Sequence, residues 1–155
     1  MRKIFIINEK EKELELSPDE TLLHVLRNNG HTEVKNGCEE GECGACMILL
    51  DGKAVPSCQI LAMSAVHRSI TTISALERTE AGKILQQSFV DAGAVQCGFC
   101  TPGMIISAYS LLKEKPNPTE EEIKRALDGN LCRCTGYIKI IEAVKRSAEL
   151  LNGTV

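Results

Sequence analysis

Tryptophan is absent from the 155 residues, and aromatic side chains of all kinds make up 3% of them. A chain so poor in flat rings has little with which to stack nucleic-acid bases or hold a sugar. An excess of charge is missing too. The formal net charge is −3, which supplies no attraction for DNA, RNA or an anionic membrane surface. Nowhere does the sequence approach the roughly 18 consecutive apolar residues of a membrane-spanning helix. The opening residues 1–7 are basic and then apolar, but the run ends at once in Asn8-Glu9-Lys10-Glu11-Lys12, with no cleavage site or twin arginine after it. No Gly-x-Gly-x-x-Gly or P-loop pattern offers a cradle for a dinucleotide or a nucleoside triphosphate. The three histidines are scattered, and no nucleophile stands with a base. These absences point away from nucleic-acid binding, membrane insertion and hydrolytic chemistry.

What the chain has instead is eight cysteines. An even count in a short chain is compatible with disulfides, but those need an oxidising compartment, and nothing in the sequence indicates export. The expectation is a cytoplasmic protein with reduced, metal-bound thiols. With 43% hydrophobic and 25% charged residues the composition is globular, and the length suffices for one ordinary domain or two small ones.

Hydrophobic patterning divides the chain. Residues 3–7 and 13–16 read as the strands of a hairpin. Ser17-Pro18-Asp19-Glu20 reads as a capping box opening a helix that groups Leu22, Leu23, Val25 and Leu26 on one face and stops at Gly30. His24 in that helix reads as a packing or surface residue, because no second ligand stands at helical spacing. Asp51-Gly52, between apolar runs at 47–50 and 53–55, is a two-residue hairpin signal, and 69–73 reads as another strand. After about residue 75 the period becomes helical. Ile84, Leu85, Ser88, Phe89 and Ala92 share one face, and Met104, Ile105, Ala108, Leu111 and Leu112 another. Thr119 with Glu122 forms a second capping box ahead of Ile123, Ala126 and Leu127. A last helix over about 137–151 turns Ile141, Val144, Ala148 and Leu151 inward. The class is α+β: a small mixed-sheet domain over 1–76, a short linker near 75–81, and an all-helical domain of about four helices over 77–155.

The cysteines fall into two sets. Cys38-x4-Cys43-x2-Cys46, with Cys58 beyond, has the plant-type [2Fe–2S] ligand spacing. Gly37, Gly41, Gly44 and Ala45 keep the loop small enough for its N–H groups to approach cluster sulfurs. Zinc sites favour close pairs, so this longer pattern favours the iron cluster. Glu39, Glu40 and Glu42 read as a solvated rim, since a hard carboxylate suits a thiolate-held iron pair poorly. The second set, Cys97-x2-Cys100 and Cys132-x-Cys134, could on spacing alone hold zinc as readily as iron. A thioredoxin-like role for Cys97 and Cys100 lacks the preceding strand of a βαβ unit. Thr101 as N-cap with Pro102 after it, and Thr135 ahead of the last helix, set both pairs near helix N-termini, whose positive dipole end favours thiolates.

The stretches 96–103 (QCGFCTPG), 129–137 (GNLCRCTGY) and 37–52 (GCEEGECGACMILLDG) resemble the iron–sulfur subunit of the molybdenum hydroxylases, the xanthine dehydrogenase/aldehyde oxidoreductase family. The resemblance spans essentially the whole chain. Met47, where threonine is common, and Ser74-Ala75, in place of a frequent Glu-Gly, depart from the pattern without touching a ligand. The resemblance implies a plant-ferredoxin-like β-grasp domain followed by a four-helix-bundle [2Fe–2S] domain. It also implies two [2Fe–2S] clusters, on Cys38/Cys43/Cys46/Cys58 and on Cys97/Cys100/Cys132/Cys134. The second would lie beside the molybdopterin of a large partner subunit, the first nearer the FAD of another, within a higher-order hetero-oligomer. Carried over by position, Gln96 and Cys134 meet the pterin. The implied role is electron transfer, with no substrate chemistry in this chain. The implied substrate is an N-heterocycle such as a purine or nicotinate. Aldehydes, aromatic acyl-CoA thioesters and carbon monoxide are the family's alternatives, and a free-standing two-cluster ferredoxin is the rival class.

Overall fold

Two clusters of buried side chains organise the fold, and the β3–β4 hairpin contributes to both. The computed structural model describes residues 1–153, so the last two positions of the 77–155 range lie outside the described residues. Strands β1 (Arg2–Ile7) and β2 (Lys10–Glu15) pair antiparallel around Asn8-Glu9, whose φ angles of 51° and 67° match the twist of the flanking strands. β3 (Met47–Leu50) and β4 (Lys53–Pro56) turn in the same way at Asp51-Gly52. β5 (Ser69–Thr71) lies between the hairpins, parallel to β1 and antiparallel to β3, giving a mixed sheet in the order β2-β1-β5-β3-β4.

Successive side chains of a strand point to opposite faces, and β3 uses both. Ile48 and Leu50 enter a core with Phe5, Ile7, Leu22, Leu26 and Ile70. Leu49 enters the other, with Leu76, Leu85, Phe89, Met104 and Ile106. The sheet is thus a partition between two cores.

Helix α1 (Leu22–Asn28) starts later than its sequence signal. The Glu20 carboxylate does accept from the Ser17 N–H at 3.2 Å, but this closes a turn and does not open the helix. Leu22 N–H is bonded to Ile60 O and Ala62 N–H to Glu20 O, which holds the chain extended beside residues 60–62; the cap is therefore Thr21. The strand expected over 69–73 stops at Thr71. Buried Thr72 donates its N–H to Asn8 Oδ1 at 2.8 Å and its hydroxyl to Glu33 at 2.8 Å, and the chain turns into the short α2 (Ile73–Leu76). The stretch expected as a linker is a capped turn, because the Thr79 hydroxyl accepts from Gly82 N–H at 3.0 Å and donates to Leu76 O.

Four further helices follow: α3 (Glu80–Asp91), α4 (Thr101–Glu114), α5 (Glu120–Leu127) and α6 (Ile138–Leu151). Both halves of the Thr119–Glu122 capping box are formed at the start of α5. α4 is the central rod, packed on α3, α5, β3 and β4, so every residue from Gly103 to Ala108 is buried, a wider band than one helical face. On α6 the buried stripe is Ile140, Ala143, Val144, Ser147 and Ala148, one position earlier than the periodicity predicted at its start. The small Ala143 and Ser147 let the helix approach α3, which leaves the bulkier Ile141 and Leu151 at the margin of the core.

Candidate metal centres

The first cysteine set lies on the irregular loop between α1 and β3. Left-handed backbone at Glu39, Gly41 and Gly44 winds this loop into a ring. The N–H groups of Glu40 and Cys43 both donate to Cys38 Sγ at 3.4 Å. A Cβ on Gly37 would stand 2.7 Å from Cys43 Sγ, so a larger residue there would push that sulfur aside. Cys58 comes back to the loop because Ser57 donates its N–H and its hydroxyl to Cys46 O, at 3.2 and 2.8 Å. Gln59 donates to Cys58 Sγ at 3.6 Å and to Glu39 O at 3.2 Å. Cys46 and Cys58 are buried, whereas Glu39, Glu40 and Glu42 face solvent. His24 sits on the surface against the Glu39 carboxylate at 3.1 Å, away from the sulfurs' hydrogen bonds.

The second set is gathered by the starts of α4 and α6. Thr101 is not an N-cap: α4 begins at Thr101 itself, Cys100 occupies the cap position, and no side chain caps the helix. The residue preceding α6 is Tyr137 in left-handed geometry at φ 70°, and Thr135 serves a sulfur more than the helix. The Thr135 hydroxyl donates to Cys132 Sγ at 3.1 Å and its N–H donates there at 3.4 Å, while Tyr137 OH accepts the Cys132 N–H at 2.9 Å. These contacts over-determine the strained Tyr137 backbone. Cys97 Sγ and Cys134 Sγ are 3.7 Å apart, and Gln96 Nε2 donates to Cys134 O at 3.1 Å. Cys97, Cys134 and Gln96 are exposed, and Cys100 and Cys132 half-buried.

The protein prepares the sulfurs of each set unequally. Backbone N–H groups of Glu40 and Cys43 hold Cys38 down at about 7. Burial opposes ionisation of Cys132, but the Thr135 hydroxyl and the N–H groups of Cys134 and Thr135 outweigh it and bring the thiol to about 7. Burial pushes Cys46 up to about 11, and burial followed by the neighbouring Cys132 pushes Cys100 up to about 12. Thiols held so high ionise only against the positive charge of a metal, as coordinating thiols do. A zinc ion needs four donors about a single point, whereas a two-iron unit takes its thiolates in pairs. The close Cys97–Cys134 pair and the interacting Cys100–Cys132 pair fit the second demand.

The two sets touch through the backbone. Leu131, the residue before Cys132, donates its N–H to Cys43 O at 2.9 Å. Asn130, Leu131, Thr135 and Tyr137 stand inside the 129–137 motif, but the motif says nothing of the contacts they make. The Gly129-Asn130 pair ahead of the cysteines was the one local sign of a special turn there.

Residues 5–69 match the model of the 2Fe-2S iron-sulfur cluster binding domain, and residues 72–145 match that of the [2Fe-2S] binding domain. The chain is 48% identical over 153 residues to the nicotinate dehydrogenase small FeS subunit of Eubacterium barkeri, covering 96% of this chain and 98% of that protein. It belongs to the iron–sulfur subunits of the molybdenum hydroxylases. Its backbone also superposes on a chain of quinoline 2-oxidoreductase from Pseudomonas putida 86, with a TM-score of 0.91 at 43% identity, over 99% of this chain and 96% of that one. The aldehyde oxidoreductase of Desulfovibrio gigas gives a TM-score of 0.91 at 38% identity, over 100% of this chain but 18% of that one. Membership resolves what spacing left open: both halves are [2Fe–2S] domains, the first ferredoxin-like and the second helical.

Proposed function

We propose that this subunit is the electron relay of a molybdenum hydroxylase, passing electrons one at a time from a molybdopterin site in a large partner subunit to FAD in another. Cys97, Cys100, Cys132 and Cys134 hold the cluster nearer the molybdopterin, and Cys38, Cys43, Cys46 and Cys58 hold the cluster nearer the flavin. Each cluster, when bound, supplies a one-electron redox centre. The chain's own residues fix its place and surroundings.

The observation that carries this reading is the unequal exposure of the two sets. The helical set opens to the surface through Cys97 and Cys134, and beside these cysteines in sequence stand Phe99, Leu131 and Ile138, exposed by 48%, 56% and 68%. Apolar residues so open beside a redox site suit the face a catalytic partner covers. Gln96 and Cys134 are the residues that meet the pterin, a role supported by their exposure and by the hydrogen bond that aligns them. Inward, the Leu131–Cys43 hydrogen bond supports an ordered passage from the helical cluster to the ferredoxin-like one. The N–H donors on Cys38, and the Thr135 hydroxyl on Cys132, stabilise negative sulfur and thereby set the potentials.

A two-domain division, drawn at 76/77, is supported by there being two separate family matches, whose changeover lies between residues 69 and 72. A cytoplasmic setting is supported by eight cysteines in two groupings that suit iron clusters rather than disulfides. An N-heterocyclic substrate such as a purine or nicotinate is supported by the nicotinate and quinoline enzymes among its relatives. The aldehyde oxidoreductase at 38% identity favours the second reading, an aldehyde. Native purification from the producing cell, followed by anaerobic addition of nicotinate, hypoxanthine or an aldehyde, tests all of this. The expected result is a hetero-oligomer containing molybdenum and FAD whose visible absorption bleaches with an N-heterocycle. A monomer carrying two clusters and no partner would overturn the relay and leave the free-standing ferredoxin.

A further inference from the structure

We propose that Asn130 is the positioning residue that sets the separation of the two cluster-binding loops, and with it the coupling between the clusters; this rests on the two-cluster reading above.

Asn130 is 3% exposed and lies where three segments meet. Its Nδ2 donates to Gly44 O, in the first loop, at 3.2 Å. Its Oδ1 accepts from the Ser107 hydroxyl, on α4, at 2.8 Å. Its own N–H is bonded to Leu127 O at the end of α5, at 2.9 Å, so the side chain projects from an anchored turn. The next N–H, that of Leu131, makes the bond to Cys43 O. The amide therefore joins the residue after ligand Cys43 to a segment two residues before ligand Cys132.

The backbones around it are as close as glycine permits. A Cβ on Gly44, whose φ is 67°, would overlap Gly129 O and the Asn130 amide, and one on Gly103 would overlap Gly44 O. Contact this tight has no slack, so the length and polarity of the clamping side chain decide the spacing. Asparagine meets the demand because one amide offers a donor to a carbonyl and an acceptor to a hydroxyl. Aspartate would turn an acceptor towards Gly44 O, and alanine would leave buried Ser107 without its acceptor, at a cost typical of an orphaned polar group. A short connection between the two sets passes through this junction: covalent bonds from Cys43, the Leu131 N–H···O bond, and covalent bonds to Cys132. Loosening the clamp stretches that connection while leaving every thiolate in place.

The test uses the native complex with both clusters loaded, comparing unsubstituted protein with Asn130→Asp, Asn130→Ala and Ser107→Ala. Iron and labile sulfide are counted first, and the magnetic interaction between the two reduced clusters is then read by EPR. The expected result is full cluster content in at least Ser107→Ala, a reduced splitting from inter-cluster coupling, and a several-fold slower equilibration of electrons between the clusters. Unchanged splitting and rate in a variant with both clusters present would overturn the proposal, even if that variant melts earlier, since a merely structural role moves only the melting. Should the Asn130 variants lose iron, Ser107→Ala, which leaves the Gly44 bond in place but frees the amide, decides by the same two readings. Failure to find two distinct clusters in the unsubstituted protein would sink the relay reading instead, before any variant is compared.

Discussion

The two halves of this subunit solve the same problem differently. The ferredoxin-like half buries two of its cysteines, Cys46 and Cys58, at 3% and 5% exposed, and leaves Cys38 and Cys43 half-buried under its own loop. The helical half leaves Cys97 and Cys134 on the surface and spends its hydrogen bonds on the inner Cys132. The set with two fully exposed sulfurs is the one that most needs a docked partner to cover it. Under the proposed relay, the more exposed set faces the large partner subunit, and the Leu131–Cys43 hydrogen bond links it to the other set.

The strongest way to break that comparison is to empty one half at a time. Cys43→Ser should abolish the EPR signal of the ferredoxin-like cluster and leave the other, and Cys100→Ser should do the reverse. Simultaneous loss of both signals in either variant would mean that the halves do not load independently. Next comes the shared wall. Leu49 points from the sheet into the helical core, so Leu49→Ala should cost about 2–5 kcal/mol. Thermal denaturation of the purified protein checks this, and a loss below about 1 kcal/mol would show that the partition is poorly packed.

Smaller changes sharpen the contrast. Thr135→Val removes the hydroxyl donor from Cys132 and should lower the potential of the helical cluster by on the order of tens of millivolts, with the other cluster unmoved. Redox titration followed by EPR reads both at once, and equal shifts would contradict the separation. At the edge of the bundle, Thr119→Ala should cost about 1 kcal/mol without touching either cluster. Lys115 first, and then the Thr119 N–H and hydroxyl, hold the Glu122 carboxyl at about 2, below its usual 4.5. A folded-state value below the unfolded one contributes stability above pH 4.5 that is lost as pH falls towards 2. The melting difference between unsubstituted protein and Glu122→Gln should therefore shrink over that interval. A constant difference would show that the carboxylate is not responsible.

Much of this was legible in the sequence because the relevant physics is local. Asp51-Gly52 specifies its hairpin through backbone freedom alone, and Thr119 with Glu122 specifies a helix start through bonds three residues apart. Local signals failed where distant segments compete for the same groups. The Ser17 box lost its helix start because residues 60–62 pair with 20–22, and the strand at residue 72 gave way to side chains from Asn8 and Glu33. On α6 Val144 and Ala148 are buried as expected, but Ile140 replaces Ile141 at its start because small residues, not large ones, mark where α3 approaches. Within the site the cysteine spacing was plain, but the residues that hold the two sets together were not. Asn130, Leu131 and Ser107 matter only through partners far away in the chain, and no periodicity records such a bond.

EPR of the reduced native complex, with iron, labile sulfide and zinc counted on the same sample, tests the central claim most directly. The account predicts two distinct [2Fe–2S] signals of equal intensity and no zinc. A single signal, or zinc in place of iron at either set of cysteines, would contradict it.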